Sequence, residues 1–216
     1  MSKKNISQEK IIQAFLSAAF DKSAGATSLA DVADSLEIKK ASLYNHFDSR
    51  EAMYAASLDY CSQEIGNVEF ATEKMREAIN SGKTTLTGAL KKLVSRYFAL
   101  FDSEPLFKMY VFVHTEQYFN VNALKIVQNQ IEKITEDIKS IFADFIKDKS
   151  DKEIKELAGA CTNLILAQLD AYIAVRKETI RQNPETGAGS LFELPSDNNI
   201  INKAARLVEA FVTSLL

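Results

Sequence analysis

The sequence has few of the residues that interrupt helices or build covalent and metal sites: of 216 residues, 3 are proline, 7 glycine, 2 cysteine and 2 histidine. Because Ala, Leu, Lys, Glu and Ile dominate instead, we predict an all-α protein. Cys61 and Cys161 lie far apart in helical patterns, so we expect reduced thiols rather than a disulfide. No apolar run approaches the ~18 residues that a membrane span needs. The N-terminus also has no apolar segment of the kind found in secretory signal peptides. We therefore expect a cytoplasmic chain with no membrane partner.

Motifs of enzyme and metal sites are also missing. The sequence has no Gly-rich phosphate loop, HExxH, CxxC or nucleophile elbow. Its carboxylates lie beside lysines, as at Glu132-Lys133, which is typical of solvated helix faces. We therefore predict that the chain is not an enzyme and uses no metal or cofactor.

The net charge of −3 conceals a regional difference. The first 50 residues hold 7 Lys and Arg against 6 Asp and Glu, a balance of +1, and the remainder has a balance of −4. The basic residues cluster at Lys3-Lys4 and Lys39-Lys40, which makes a local patch on an acidic protein rather than a polycation. The Lys3-Lys4 arm could reach a phosphate or the minor groove, and an unstructured end fits equally well.

Residues 27–53 predict two short helices, a tight turn and the start of a longer helix. Ser28 can cap the first helix, and Asp31 supplies the acidic half of a capping box. Apolar residues recur at helical spacing at Leu29, Val32, Ala33, Leu36, Leu43 and Phe47. The outward positions of the second helix carry cations, a phenol and short polar side chains, as a reader of the DNA major groove requires. A helix-turn-helix fits this pattern, and a plain helical hairpin with a solvated polar face is the alternative.

This stretch resembles the DNA-binding signature of the TetR (tetracycline-repressor) family of bacterial regulators. The resemblance covers about the first quarter of the chain and rests on Val32-Ala33, Ile38, Ala41-Ser42-Leu43-Tyr44, His46-Phe47, Ser49 and Arg50-Glu51. It implies a three-helix head whose DNA-binding residues are Ser28, Lys39, Lys40, Ala41, Ser42, Tyr44, Asn45, His46 and Arg50. The family usually has glycine in the turn where this chain has Glu37. Either the turn differs here, or Glu37 takes a left-handed conformation that is costly for a residue with a side chain.

Beyond the head, hydrophobic periodicity predicts a helical body, for about nine helices in all. The predicted helices span about 50–80, 84–103, a short stretch after Pro105, 121–147, 151–182 and 198 to the end, with one Gly- and Pro-rich loop between the last two. We assign residues 1–48 to a DNA-binding domain and residues 49–216 to an effector-binding and dimerisation domain. The long helix over 50–80 is expected to act as a lever, with Gly66 as its weak point.

The last two predicted helices each carry two apolar stripes, whereas a surface helix needs only one. We predict that one stripe packs inside the chain and the other, including Leu169 and Val212, packs against a second copy. The alternative is that both helices are central in the monomer. The resemblance also implies a homodimer through the last two helices.

An aromatic-rich region over residues 97–119, with polar groups on the 151–182 helix, suggests a small-molecule pocket. An aromatic core with satisfied polar groups is the alternative, and the resemblance favours the pocket. The predicted ligand-binding residues are Phe98, Tyr110, His114, Gln117, Tyr118, Gln168 and Tyr172, and we expect Ala167 beside them.

These features together predict a ligand-responsive transcriptional regulator. It would be a repressor that is released from a palindromic operator by a small, mainly apolar or aromatic effector. The alternative is a DNA-binding protein with no small-molecule effector, whose body docks a protein partner.

Overall fold

The computed structural model describes residues 6–186 and 194–215, and within them the chain is all-α, which confirms the predicted fold class. The predicted Lys3-Lys4 arm lies outside the described residues. The helices of the described chain are α1 Gln8–Lys22, α2 Leu29–Ser35, α3 Lys40–Leu43, α4 Arg50–Gly66, α5 Glu73–Asn80, α6 Leu86–Phe101, α7 Leu106–Glu116, α8 Val121–Phe145, α9 Asp151–Gln182 and α10 Asn198–Leu215, with a 3-10 turn at Pro184–Thr186.

The predicted single helix over residues 50–80 is wrong. α4 ends at Gly66, Asn67 follows as its C-cap, and α5 starts only after Thr72, whose hydroxyl accepts a hydrogen bond from the Met75 N–H. The connection between them buries Phe70 against Tyr97, with ring centroids 4.8 Å apart. Because residues 67–72 separate the two helices, α4 and α5 do not form the one continuous helix that the predicted lever requires.

The chain forms two compact units. The first contains residues 1–67 and 108–128, and the second contains residues 68–107 and 129–216. The first unit therefore includes α1–α4 with most of α7 and the start of α8. The division into a DNA-binding domain of residues 1–48 and a second domain of residues 49–216 stays a prediction.

The core of the first unit joins α1, α4 and α7. The rings of Phe15, Tyr54 and Phe112 pack edge to face, with centroids 5.8–6.3 Å apart. The Tyr54 hydroxyl donates to Oε2 of the buried Glu116 at 2.8 Å. Burial raises the pKa of Tyr54, and the hydrogen bond to Glu116 adds to that rise. Tyr54 is therefore neutral and holds α4 to the end of α7.

The core of the second unit contains α6 and α9. The Tyr97 hydroxyl accepts a hydrogen bond from the buried Gln130 amide at 2.7 Å, which satisfies both polar groups. Asp102, at the end of α6, forms a buried ion pair with Arg176 of α9 at 2.5 Å. Arg176 also donates to the Leu194 carbonyl at 2.8 Å. These contacts fix the segment that leads into α10.

Both cysteines are free and buried in the described structure, as the sequence predicted. Burial raises the pKa of both Cys61 and Cys161 to about 12, so neither thiol is ionised near neutral pH. Within the described residues, α9 is the one helix whose length and apolar composition would suit a membrane crossing. A buried core helix passes the same test, and Cys161, Ile165 and Leu169 are fully buried inside the protein.

The assignment of Leu169 and Val212 to an outer stripe is wrong. Leu169 is 0% and Val212 3% exposed in the single chain, so both belong to its own core. The exposed residues of α9 and α10 include small, polar and scattered apolar ones instead: Ala160, Asn163, Ala167, Asp170, Ala171, Ala174 and Val175 on α9, and Asn202, Lys203, Arg206, Leu207, Glu209 and Ala210 on α10. The periodicity found two stripes on each helix but not which stripe faces outward.

Candidate DNA interface and ligand residues

Helix α2 is fixed at its start by the predicted capping box. The Ser28 hydroxyl accepts from the Asp31 N–H at 3.2 Å, and the Ser28 N–H donates to Asp31 Oδ2 at 2.8 Å. Lys22 of α1 donates to the other carboxylate oxygen at 2.5 Å. The Lys22 hydrogen bond, followed by those from Ser28, lowers the pKa of Asp31 to about 2. Ser28 is exposed, but its hydroxyl already serves as a cap.

The turn after α2 keeps a left-handed residue although glycine is absent. Glu37 has φ +55°, its N–H donates to the Asp34 carbonyl at 3.0 Å, and the Ile38 N–H donates to the Ala33 carbonyl at 3.0 Å. This pair of hydrogen bonds is the Schellman arrangement, with Glu37 at the position where glycine is usual. Of the two alternatives for Glu37, the structure has the left-handed conformation in a helix-ending turn of the ordinary kind.

Helix α3 has only four residues, and together with the flanking Lys39, Tyr44 and Asn45 it presents most of the predicted DNA-binding side chains to solvent. Leu43 and Phe47 are buried beneath it. Tyr44 is 49% exposed. Lys39, Lys40, Ala41 and Asn45 are also exposed, and Ser42 and His46 are half-buried. The outer surface of residues 39–45 thus combines two lysine cations, the Tyr44 phenol and the Asn45 amide. Such groups bind phosphates and reach base edges. Their contact with DNA stays a prediction.

Arg50 has a structural role that sequence reasoning missed. Its Nε donates to the Thr27 carbonyl at 2.7 Å, and its Nη2 donates to the Ala24 carbonyl. Arg50 therefore ties the α1–α2 connection to the start of α4. No local pattern signals this role, because the two carbonyls lie 23 and 26 positions upstream.

Gln8 is a second residue that sequence reasoning did not single out. Its side-chain amide donates to the His46 carbonyl at 3.0 Å and so connects the start of α1 to the residue that follows α3 and its turn. Gln8 and Arg50 therefore tie the two ends of the α3–α4 connection to α1 and to the α1–α2 connection.

The predicted ligand-binding residues are divided between the two units. In the second unit, Phe98 is fully buried against Tyr172 with ring centroids 5.7 Å apart, and Gln168 is half-buried. The Tyr172 hydroxyl accepts from the Asp197 N–H at 3.3 Å, and burial raises the pKa of this phenol to about 12. Ala167, which was expected beside these residues, is exposed.

The other predicted ligand residues lie on and after α7 in the first unit. Tyr110 stacks on His114 with centroids 3.7 Å apart, and the Gln117 amide donates to the His114 carbonyl at 2.7 Å. Tyr118 is 80% exposed in the single chain, which does not suit the wall of an enclosed cavity. The ligand role of all seven residues stays a prediction.

A separate open groove of about 560 Å³ lies within the second unit, between the start of α5 and one face of α6. Apolar, charged and hydroxyl side chains line it: Met75, Ala99, Leu100 and Leu106, with Lys92, Arg96, Glu104, Thr72 and Ser103. Arg96 is held by a 2.9 Å hydrogen bond from its Nε to the Glu69 carbonyl. None of the seven predicted ligand residues lines this groove. Across the described residues, no group of three or more His, Cys, Asp or Glu side chains could hold a metal ion.

Comparison with known proteins places this head among bacterial regulators. The family model described as "Bacterial regulatory proteins, tetR family" matches residues 11–57, which span α1–α3 and the first half of α4. The IcaR negative transcriptional regulator of the biofilm operon icaADBC from Staphylococcus aureus strain Newman is 29% identical over 168 residues, or 76% of this chain and 81% of that protein.

Solved structures share the fold along nearly the whole chain. A transcriptional regulator from Rhodococcus sp. Rha1 has a TM-score of 0.59 at 12% identity, covering 97% of both chains. A putative TetR-family regulator from Mesorhizobium loti has a TM-score of 0.57 at 16% identity, covering 99% of this chain and 98% of that one. With the helix-turn-helix geometry and the similarity to IcaR, these findings show that residues 11–57 match the head of the tetR family and that the chain shares the fold of TetR-like transcriptional regulators.

Proposed function

We propose that this protein is a cytoplasmic repressor that binds a palindromic operator as a homodimer and releases it when a small, mainly apolar or aromatic effector binds. The observation that carries the proposal is the outer face of α3, where Lys39, Lys40 and Tyr44 project from a buried base of Leu43 and Phe47. Similarity to IcaR, which is described as a negative transcriptional regulator, supports repression rather than activation of transcription.

Exposed small residues support dimerisation through α9 and α10. Four exposed alanines of α9 project little from the helix: Ala160, Ala167, Ala171 and Ala174. They lie beside Val175, which is 61% exposed. Small side chains let two helices approach closely, and an apolar exposed face is characteristic of an interface. A twofold dimer presents two heads, as a palindromic operator requires.

Helix α7 supports a route from effector to DNA inside the first unit. Tyr110 and His114 belong to this helix, which also contacts α1 through Phe112 and α4 through the bond between Glu116 and Tyr54. An effector that contacts Tyr110 or His114 would therefore displace the same helix that holds α1 and α4. It changes operator affinity only if it binds the two arrangements of α7 unequally.

The direct test of DNA binding is selection of an operator from random duplexes, followed by fluorescence anisotropy across a salt series. Lys40→Ala should weaken operator binding and reduce the salt slope by about one unit, because one phosphate contact is lost. Lys10→Ala, which removes an exposed lysine from α1, serves as the control with an unchanged slope. Equal slopes for Lys40→Ala and wild type would remove α3 from the DNA contact.

The effector is tested by a thermal-shift screen of apolar and aromatic metabolites, since ligand binding raises apparent stability. A compound that stabilises the protein and weakens operator binding supports the repressor proposal. Failure of every such compound, with operator binding intact, favours the alternative of a DNA-binding protein whose body docks a protein partner.

The route through α7 is tested with Tyr54→Phe, which removes the hydrogen bond to Glu116 and keeps the ring. We expect operator binding to persist and the effector response to shrink. Tyr60→Phe is the matched control, because Tyr60 is also on α4 and donates to a carboxylate, Glu9, at 3.3 Å. If both variants respond to effector like wild type, the coupling does not pass through Tyr54 and Glu116.

A further inference from the structure

The turn between α7 and α8 exposes an unusual amount of apolar surface. Among the described residues, seven large hydrophobic side chains are exposed, and four of them lie within residues 118–124. We call these four the aromatic turn: Tyr118 at 80%, Phe119 at 82%, Val121 at 65% and Leu124 at 37% exposure. Single exposed apolar residues are ordinary, but a contiguous group of this kind marks an interaction surface.

The backbone of the aromatic turn is well fixed. The N–H groups of Phe119 and Asn120 both donate to the Glu116 carbonyl at 2.9 Å. The Asn120 side-chain oxygen accepts from the N–H of Asn122 at 2.8 Å and so caps α8. The Glu116 side chain is itself held by Tyr54. Two large rings are therefore presented by an ordered turn, and a partner that covers them pays little to order the backbone.

The chemistry of the turn favours a protein partner over a charged surface. Residues 117–124, Gln-Tyr-Phe-Asn-Val-Asn-Ala-Leu, contain no charged side chain. An anionic membrane or a nucleic acid would require cations among these residues. Aromatic enrichment with charge depletion is instead the composition of the centre of a protein interface.

A second copy of this chain fits the neutral turn. In a twofold contact each surface meets its own copy, and a surface without charge does so with no like-charge repulsion. The two rings supply roughly 300 Å² per protomer, against about 800 Å² per partner in a standard interface. The turn therefore supplements a larger dimer interface rather than replacing it.

We propose that the aromatic turn docks on a second copy of the chain, so that the two DNA-binding units touch each other directly. This inference rests on the proposed function, because it assumes the homodimer. The turn belongs to the same compact unit as α1–α4. A contact there fixes the separation of the two recognition helices, the quantity that a palindromic operator reads.

The first experiment uses the absence of tryptophan from the sequence. In Phe119→Trp the only tryptophan reports on the turn. We expect its emission to shift to the blue, and its quenching by iodide to fall, as protein concentration rises through the dimerisation range measured by sedimentation. A tryptophan that stays solvent-exposed in a sedimenting dimer would overturn the proposal and leave the α9–α10 dimer intact. A blue shift produced only by vesicles of phosphatidylglycerol and phosphatidylcholine would assign the turn to a membrane and overturn it as well.

The second experiment measures the contribution of the turn to dimer affinity. Phe119→Asp places an unpaired charge in the contact and should raise the dimer Kd roughly 10- to 30-fold. Gln128→Asp adds the same charge at an exposed site on α8 and should leave the Kd unchanged. Equal Kd values for the two variants would overturn the proposal. A wild-type chain that is monomeric throughout refutes both the turn and the proposed homodimer, whereas a dimer without effector response counts against the effector alone.

Discussion

Measurements on variants of Arg50 can distinguish a structural role of this residue from a contact with DNA. The sequence places it among the DNA-binding residues, but its guanidinium donates to the carbonyls of Ala24 and Thr27. Both acceptor residues are buried, at 3% and 1% exposure. Arg50→Ala removes the Arg50 donor from both carbonyls, and of the two only the Ala24 carbonyl keeps a backbone donor within the described structure, the Thr27 N–H at 3.2 Å. The variant should therefore lose stability even if Arg50 makes no contact with DNA.

The size of the loss follows from the two hydrogen bonds. A hydrogen bond to a charged group contributes about 1.5–3 kcal/mol, which gives roughly 3–6 kcal/mol for an additive pair. The Arg50 side chain is 28% exposed, so water screens part of this contribution, and both bonds share one side chain. We expect a loss of about 2–4 kcal/mol, or roughly 4–16 °C in Tm for a chain of this size.

The assay compares Arg50→Ala with Lys40→Ala by thermal unfolding and by operator anisotropy at low temperature. Lys40 is exposed, so Lys40→Ala should keep its stability within about 0.5 kcal/mol and lose operator affinity. Arg50→Ala should show the opposite pattern while it remains folded. Arg50→Lys, which can reach one carbonyl, should lie between Arg50→Ala and wild type in stability. A wild-type Tm with lost operator affinity in Arg50→Ala would show that Arg50 is a phosphate contact.

Two further predictions concern the head. Glu37→Gly should be more stable than Glu37→Ala by about 1 kcal/mol in urea unfolding, because only glycine adopts φ +55° without cost; Glu37→Ala serves as the control because both variants lose the carboxylate, and equal stabilities would contradict the strain. The lowered pKa of Asp31 stabilises the fold above its unfolded value near 3.8, and this contribution is lost as pH falls through about 2. Asp31→Asn should therefore flatten the pH dependence of Tm between about pH 4 and 2, and an unchanged profile would refute it.

Local signals predicted much of the fold. The predicted helix over 151–182 coincides with α9, because Ser150 caps it in a box with Glu153 and a polar loop follows it. The apolar face of α1 is buried as its spacing indicates. The break after Gly66 escaped prediction because Val68, Phe70 and Ala71 are apolar and no proline follows. It depends on the packing of Phe70 against Tyr97, which is a tertiary contact.

The same distinction holds for the candidate site. The capping box of Ser28 and Asp31 spans four residues and could be predicted from them alone. The role of Arg50 depends on carbonyls more than 20 positions away, and periodicity carries no information about them. Leu169 and Val212 were assigned to the wrong side for a related reason: a helix with two apolar stripes does not reveal which one meets the core.

The contacts around α3 bear on how an effector could act. Its segment is held by Gln8 through the His46 carbonyl, while Arg50 ties the α1–α2 connection to the start of α4. The Schellman turn at Glu37 fixes the angle between α2 and α3. With this many independent ties, reshaping α3 would break several hydrogen bonds at once, whereas moving the head as a rigid body breaks none of them. We therefore infer that regulation changes the separation of the two heads rather than the surface that α3 presents to DNA. On this basis, effector binding should leave hydrogen exchange at α2 and α3 unchanged while operator affinity falls, and increased exchange at the turn near Glu37 would contradict it.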